Sequence, residues 1–328
     1  MLVRTCDIAH TLVCPRCLSG LTVMATGVVC TDPDCVYRRE PFPVIDGQPA
    51  LIDFESSIVD RCALVRSAGA PTIRRDPMHR TLTLKVRRFF LGENQGAKKI
   101  GAIFLRDVLA SAERPSVLII GGGDASSGSR PILEDKNVRV VATDIYASPN
   151  LTLLADGHSL PFKDASFDGV WIQAVLEHVL DPWRVVSEIH RVLKPDGLVY
   201  ADTPFMQPVH EEAYDFMRFS LSGHRWLFRN FETIQAGVSN GAGAALNLSA
   251  RYFVRGLAHN NKVGTLAALA LFWLRFFDRF ATSRWTADMA SGTFFYGRRS
   301  DKPITPKQIV AFYADQKRMH ASAFESAN

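Results

Sequence analysis

Four of the six cysteines stand in two close pairs, Cys14 with Cys17 and Cys30 with Cys35, in the spacing C-x2-C-x12-C-x4-C. Paired thiolates of this kind place two sulfurs on one turn, and two such turns close a tetrahedron around zinc. All four ligands would be cysteines, so no coordination position is left for a reacting water. A second group of chemical residues lies in 204-PFMQPVHEEAYDFMRFSLSGHRWLF-228. His210, Asp215 and His224 have the character of general bases, joined by His178 from an earlier segment. Arg218 has the fork that clamps a carboxylate or phosphate, and Glu211 adds a second substrate-facing acid. A third feature is 116-SVLIIGGGDASSG-128, an apolar run stopped by Gly121, Gly122 and Gly123. Such a loop lets a cofactor approach the backbone. A nicotinamide dinucleotide, a nucleoside triphosphate and S-adenosylmethionine all use one, although the G-K-[ST] of a P-loop is absent here.

These residues need positioning elements. LTVMATGVV between the cysteine pairs alternates and contains Gly27, as a short hairpin should. The run 117–120 reads as a first strand, and 138-VRVVATD-144 as a second, ending at Asp144, which is placed to read ribose hydroxyls. Apolar runs within 151–162, 167–173 and 198–205 follow as further strands, with Asp156 and Gly157 closing the third and Gln173 the fourth. Asp181 and Pro182 open a helix with Val185, Ile189, Val192 and Leu193 on one face. Lys194, Pro195 and Gly197 end it. Residues 250–280 read as helical, and 292-GTFFYGRR-299 as a last, antiparallel strand.

With 328 residues and 47% hydrophobic side chains, the chain can bury one large core or two unequal ones and is not a disordered sequence. The net charge of +5 is uneven: Arg61 to Arg106 holds eleven Lys and Arg against Asp76 and Glu93. Such a stretch is a solvated helical linker or a site for phosphate, nucleic acid or an anionic membrane. The first residues lack the continuous apolar core of a secretory signal, and the longest uncharged apolar run, 263–274, is short of the ~20 residues that span a bilayer. A cytoplasmic location is expected, with a peripheral membrane contact through the aromatic stretch 250–280 as the minority reading. Cys6 and Cys62 have no matching partner and read as ordinary thiols.

The stretch CPRCLSGLTVMATGVVCTDPDC, followed by 42-FPVIDGQPALID-53, resembles the Trm112-like zinc domain, in which the zinc is structural. The succession VLIIGGG, VVATD, LLADGHSLPF, FDGVWIQAVLEHV, EIHRVLKPDGLVYADTPF resembles the class I S-adenosylmethionine-dependent methyltransferases over about 116–205. That resemblance implies that Gly121, Gly122 and Gly123 cradle the cofactor, with Asp144 and Ile145 at the ribose. It also implies Asp156 and Gly157 at the adenine and Gln173 beside the sulfonium. The acid usual in the family's first motif is Ile119 here, and Ala125 takes the third glycine position. The 204–228 stretch resembles the acceptor segment of small-molecule and glycan-directed members.

The expected organisation is a zinc ribbon at 1–54, a basic helical linker at 55–113, a methyltransferase domain at 114–300 and a helical tail at 301–328. The expected fold is α/β, a Rossmann-like seven-stranded sheet. The expected reaction is O-methylation of a small molecule, sugar or glycolipid. Methylation of an rRNA or tRNA base, or cofactor binding without catalysis, are the alternatives. The expected cofactors are S-adenosylmethionine and a structural zinc; the oligomeric state is left open.

Overall fold

The structure is a computed structural model, and it describes residues 1–24, 27–71, 95–124, 126, 128–279 and 287–325. Most of the basic stretch, 72–94, lies outside the described residues.

A single large sheet organises the chain. Its strands are β5 (Ser116–Ile120), β6 (Arg139–Asp144), β7 (Leu153–Leu154), β8 (Phe167–Gln173), β9 (Leu193–Pro204), β10 (Phe231–Asn240) and β11 (Gly292–Arg299). They run in the order β10-β11-β9-β8-β5-β6-β7. β5 pairs parallel with β6 and β8, β6 with β7 and β8 with β9, whereas β11 pairs antiparallel with β9 and β10. The sheet is therefore the mixed seven-stranded, Rossmann-like one that was expected.

Alternation along each strand divides its apolar side chains between two faces. Leu118, Ile120, Val170 and Ile172 pack with Val185, Val186, Ile189 and Val192 of the helix Pro182–Val192. Val117, Ile119 and Trp171 face the other way, into Ala97, Ile100, Phe104 and Val108 of the helix Gln95–Ser111. Those four residues are spaced 3, 4 and 4, one helical stripe. A segment expected to be a linker thus supplies a covering helix for the sheet. Asp181 caps the opposite helix, its carboxylate accepting from the Arg184 N–H at 3.0 Å.

Several elements differ from the sequence reading. The third strand is only two residues long. The helix from Pro182 stops at Val192, and β9 starts at Leu193, with Asp196 at φ 60° in the irregular stretch before the ladder resumes at Leu198. β10 carries no strong apolar pattern and went unread: its buried positions are Phe231, Gly237 and Ser239. The stretch 250–280 is broken into Ala242–Ala258, Asn261–Ala270 and a 3-10 turn at Phe272–Arg279, the first helix ending on His259 at φ 47°. No helix among the described residues is long and apolar enough to cross a membrane.

The N-terminal segment forms a hairpin, β1 (Leu21–Met24) and β2 (Gly27–Cys30), and a shorter one, β3 (Val44–Ile45) and β4 (Gln48–Pro49). It is docked on the sheet. Ala50 bridges Leu154 in parallel, and the Leu51 N–H donates to the Leu154 carbonyl at 2.9 Å. The short β7 edge, otherwise open to further pairing, is covered in this way. Phe42, Leu51 and Tyr37 join the core of the sheet's Leu118 face.

Candidate functional site

The glycine loop leaves β5 at its carboxyl end. The N–H groups of Gly121 and Gly122 both donate to the Thr143 carbonyl of β6, at 2.9 and 3.0 Å. Gly121 has φ 76°, and a Cβ there would lie 2.3 Å from a Val175 methyl, so both conformation and space require glycine. The Gly123 N–H donates to Asp144 Oδ2 at 3.1 Å, and the Ile145 N–H to Asp144 Oδ1 at 2.8 Å. The acid thus stands at the loop, 21 residues downstream of Gly123. Tyr146 and Ser148 were missed by sequence reasoning. A Cβ on Gly123 would meet the Tyr146 ring at 2.7 Å, and Ser148 Oγ donates to the Gly123 carbonyl at 2.8 Å. Gln173 accepts from Ser126 Oγ at 2.7 Å, joining the end of β8 to the far side of the loop. Ile119, at the position of the family's usual acid, is an ordinary core residue.

Asp156 is buried and already bonded. Its Oδ1 lies 2.6 Å from His158 Nδ1 and accepts from the His158 N–H, and its Oδ2 accepts from Ser57 Oγ of the N-terminal segment. Burial pushes its pKa up, but the bonds and charge of His158, with Ser57, outweigh that and hold the carboxylate below its ordinary value. The expected adenine acceptor therefore has two protein partners, His158 within the local motif and Ser57 far outside it. Gly157 beside it faces the methyls of Val185, which a Cβ would meet at 3.3 Å.

On the acceptor side, a one-turn 3-10 segment, Leu176–His178, follows β8, and the loop after β9 carries His210. Phe216 and Met217 both donate their N–H to the Glu177 carbonyl, at 2.8 and 3.2 Å, binding the two segments together. His178 and His210 consequently stand edge to face, with ring centres 5.1 Å apart. Between them lies Glu177, which sequence reasoning missed. It is 1% exposed. Its oxygens have no hydrogen-bond partner among the described residues apart from its own N–H. Burial pushes its pKa up to about 8, and the charges of Asp202 and Asp215 add to that. Burial, then the neighbouring His178, lowers the pKa of His210 and favours a neutral ring. Glu211 also faces the group, with Oε2 3.6 Å from His178 Nε2.

Two of the expected site residues are placed differently. All five N–H donors of Arg218 are engaged, by both oxygens of Asp215 and the carbonyls of Gln207, Pro208 and Met217. Arg218 holds the loop and Asp215 in place and has no donor left for a substrate anion. His224 is buried at 1% exposure, bonded through Nδ1 to Thr293 Oγ1 at 3.1 Å and enclosed by Phe219 and Phe228. Burial lowers its pKa to about 3. It is a neutral core residue with no described contact to His178 or His210.

The cysteines converge as well. Sγ of Cys14 lies 3.8 Å from that of Cys35, and Sγ of Cys17 3.4 Å from that of Cys30. All four sulfurs lie within 4.8 Å of one another. Zinc–sulfur bonds of about 2.3 Å in a tetrahedron set neighbouring sulfurs about 3.8 Å apart, so the group fits that ion. Leu18 at φ 60°, its N–H donating to the Cys14 carbonyl, forms the turn that aims the first pair.

Residues 121–201 match the family model described as "Methyltransferase domain". The chain is 37% identical over 91 residues to an uncharacterized methyltransferase of Mycobacterium sp. (strain KMS), covering 25% of this chain and 36% of that protein. It is 49% identical over 43 residues to the 27-O-demethylrifamycin SV methyltransferase of Amycolatopsis mediterranei, 13% of this chain and 16% of that one. The match thus spans about a third or less of the length of these curated relatives. Among solved structures, phosphoethanolamine N-methyltransferase 2 of Haemonchus contortus, in complex with S-adenosyl-L-methionine, aligns with a TM-score of 0.42 at 16% identity, over 69% of this chain and 60% of that chain. From the glycine loop to β9, this part of the sheet is similar to a methyltransferase domain.

Proposed function

We propose that the protein transfers a methyl group from S-adenosylmethionine to a hydroxyl of a small molecule, sugar or glycolipid. When bound, the cofactor supplies an activated methyl on a sulfonium. The protein's own residues do the rest. Gly121 to Gly123 hold the backbone close, and Asp144 offers its carboxylate to the ribose hydroxyls. The observation that carries the hydroxyl acceptor is the convergence of Glu177, His178 and His210 at the carboxyl ends of β8 and β9. An alcohol is a poor nucleophile until its proton leaves, and an imidazole nitrogen in this group can accept it. An amine or ring nitrogen would not need that. The cysteine tetrad, in this reading, holds a structural zinc in a Trm112-like unit.

Asp144 gives the test. Charge-assisted hydrogen bonds to the ribose are each worth roughly 1.5–3 kcal/mol. Asp144→Ala should therefore weaken S-adenosylmethionine binding about tenfold or more in calorimetry, with the thermal melt retained. Wild-type affinity in the folded variant would overturn the cofactor pose, and no binding to the wild type would overturn the reading.

A membrane-borne acceptor fits one further observation. Phe253, Leu257, Leu266 and Phe277 are more than half exposed. They lie in 242–277, which has Arg251, Arg255, Lys262 and Arg275 and no acid. Apolar side chains among cations suit an anionic lipid surface. Vesicles containing phosphatidylserine should sediment the protein and pure phosphatidylcholine vesicles should not. Equal partition to both, or to neither, would sink the lipid contact and leave a soluble acceptor.

A further inference from the structure

The cysteine tetrad does not exhaust the metal-binding chemistry of the chain. We infer that Glu177, His178 and His210 form a second metal site, for a divalent first-row transition ion, at the mouth of the sheet. Their ligand atoms all lie within 4.8 Å of one another, with Glu177 Oε1 3.6 Å from His178 Nε2 and 4.0 Å from His210 Nε2. Ligands on one ion at about 2.1 Å stand about 3–4 Å apart, so the trio needs only small adjustments to close.

The tautomers argue for a cation more strongly than the distances. His178 Nδ1 lies 2.7 Å from the Tyr214 carbonyl. A carbonyl can only accept, so Nδ1 carries the hydrogen and the lone pair sits on Nε2. His210 Nδ1 has two acceptors close by, Asp215 Oδ2 at 3.3 Å and the Pro208 carbonyl at 3.4 Å, while Arg218 Nη2, 3.4 Å away, already donates to those same two groups. The balance again places the hydrogen on Nδ1 and the lone pair on Nε2. Both Nε2 lone pairs then point at a carboxylate that is itself buried and without a partner among the described residues. A carboxylate in this buried place, facing two lone pairs, is costly and repels them unless a proton or a cation lies between. A divalent cation between them removes both penalties.

The surroundings support the same sign. Asp202 and Asp215 raise the negative potential at Glu177, and Arg218 is the cation that acts against it. The Tyr214 carbonyl and the Asp215 carboxylate hold the outer nitrogens of the rings, as outer partners of metal-bound histidines do. Imidazole ligands favour a transition ion over magnesium or calcium. Glu211, with Oε2 3.6 Å from His178 Nε2, is placed to add an oxygen. An ion there would bind an acceptor hydroxyl and lower its pKa, in place of proton acceptance by the histidines; this role, unlike the binding itself, rests on the methyl-transfer reading.

Cobalt titration of the full chain tests the site. Total metal, co-purified plus added Co2+, should reach two equivalents per chain, one in the cysteine tetrad and one here. The added cobalt should give weak d–d absorption without a thiolate charge-transfer band. Glu177→Gln, which keeps the side chain's shape, and His210→Ala, at a half-buried position, should each weaken the second equivalent by at least about 100-fold, since even outer partners of metal ligands are worth 10–100-fold. A total of one equivalent in the wild type at millimolar Co2+ would overturn the site. So would unchanged cobalt affinity in both variants, or a thiolate band on the second equivalent. S-adenosylmethionine calorimetry on the same samples reports whether each variant is folded. Cofactor binding without a second metal overturns the metal site and leaves the methyltransferase reading standing; a second metal without cofactor binding does the reverse.

Discussion

At the scale of single residues, local spacing marked the meeting of Asp144 with the glycine loop and hid the group around Glu177. Asp144 follows Gly123 at the interval a ribose acid requires, and the two meet in the fold. Glu177 gave no such signal. An acid between Leu176 and His178 looks like one polar position in an amphipathic turn, and only the return of the β9 loop sets His210 against it. Arg218 and His224 carried chemical side chains into structural work, the one by donating to five acceptors and the other by burial. His224 yields a prediction about pH. Its folded pKa, about 3, lies below the ~6.5 of an unfolded histidine, so the unfolded chain binds the proton more readily. Its contribution is complete above pH ~6.5 and is lost progressively as pH falls towards 3. From pH 7 to 5 the loss is about 2 kcal/mol from this group. His224→Gln, which does not titrate, should show a correspondingly flatter fall in denaturant-unfolding stability over that interval. Parallel curves for the two proteins would contradict the assignment.

Among elements, the strands with branched apolar residues and turn signals at their ends were readable, and β10 was not. Its inward positions are filled partly by Gly237, beside the Phe294 ring of β11, and by Ser239, which donates to Asp202 Oδ1. No hydrophobic alternation remains for a sequence to display. The cysteine hairpin behaved oppositely, since paired spacing survives any packing. The hairpins β1–β2 and β3–β4 are short, and a metal would hold the first against Cys14 and Cys17. Protein purified without added zinc should carry about one tightly held equivalent, assigned to the tetrad by its loss in Cys17→Ser. Finding four freely titratable thiols and full metal-free stability in the wild type would end that proposal.

For the whole molecule, the sequence suggested a succession of zinc unit, linker and catalytic domain, whereas the fold interleaves them. The N-terminal segment completes the sheet edge at Leu154, and the helix Gln95–Ser111 covers one face of the sheet. Sequence distance conceals such contacts because no local pattern records which edge a distant strand will meet. The hydrogen bond between Ser57 and Asp156, 99 residues apart, has a thermodynamic consequence of its own. If the metal orders the segment that carries Ser57, and Asp156 lines the cofactor's adenine, the two ligands share one free-energy cycle. Whatever factor the zinc adds to cofactor affinity, the cofactor must add to zinc affinity. Chelation of the tetrad should then weaken S-adenosylmethionine binding, and saturating cofactor should slow zinc loss to a chelator. Ser57→Ala should reduce both effects together while leaving each ligand able to bind alone. An undiminished coupling in that variant would show that the path between the sites runs elsewhere. Coupled in this way, the cysteine hairpin would be an effector site for the methyl donor.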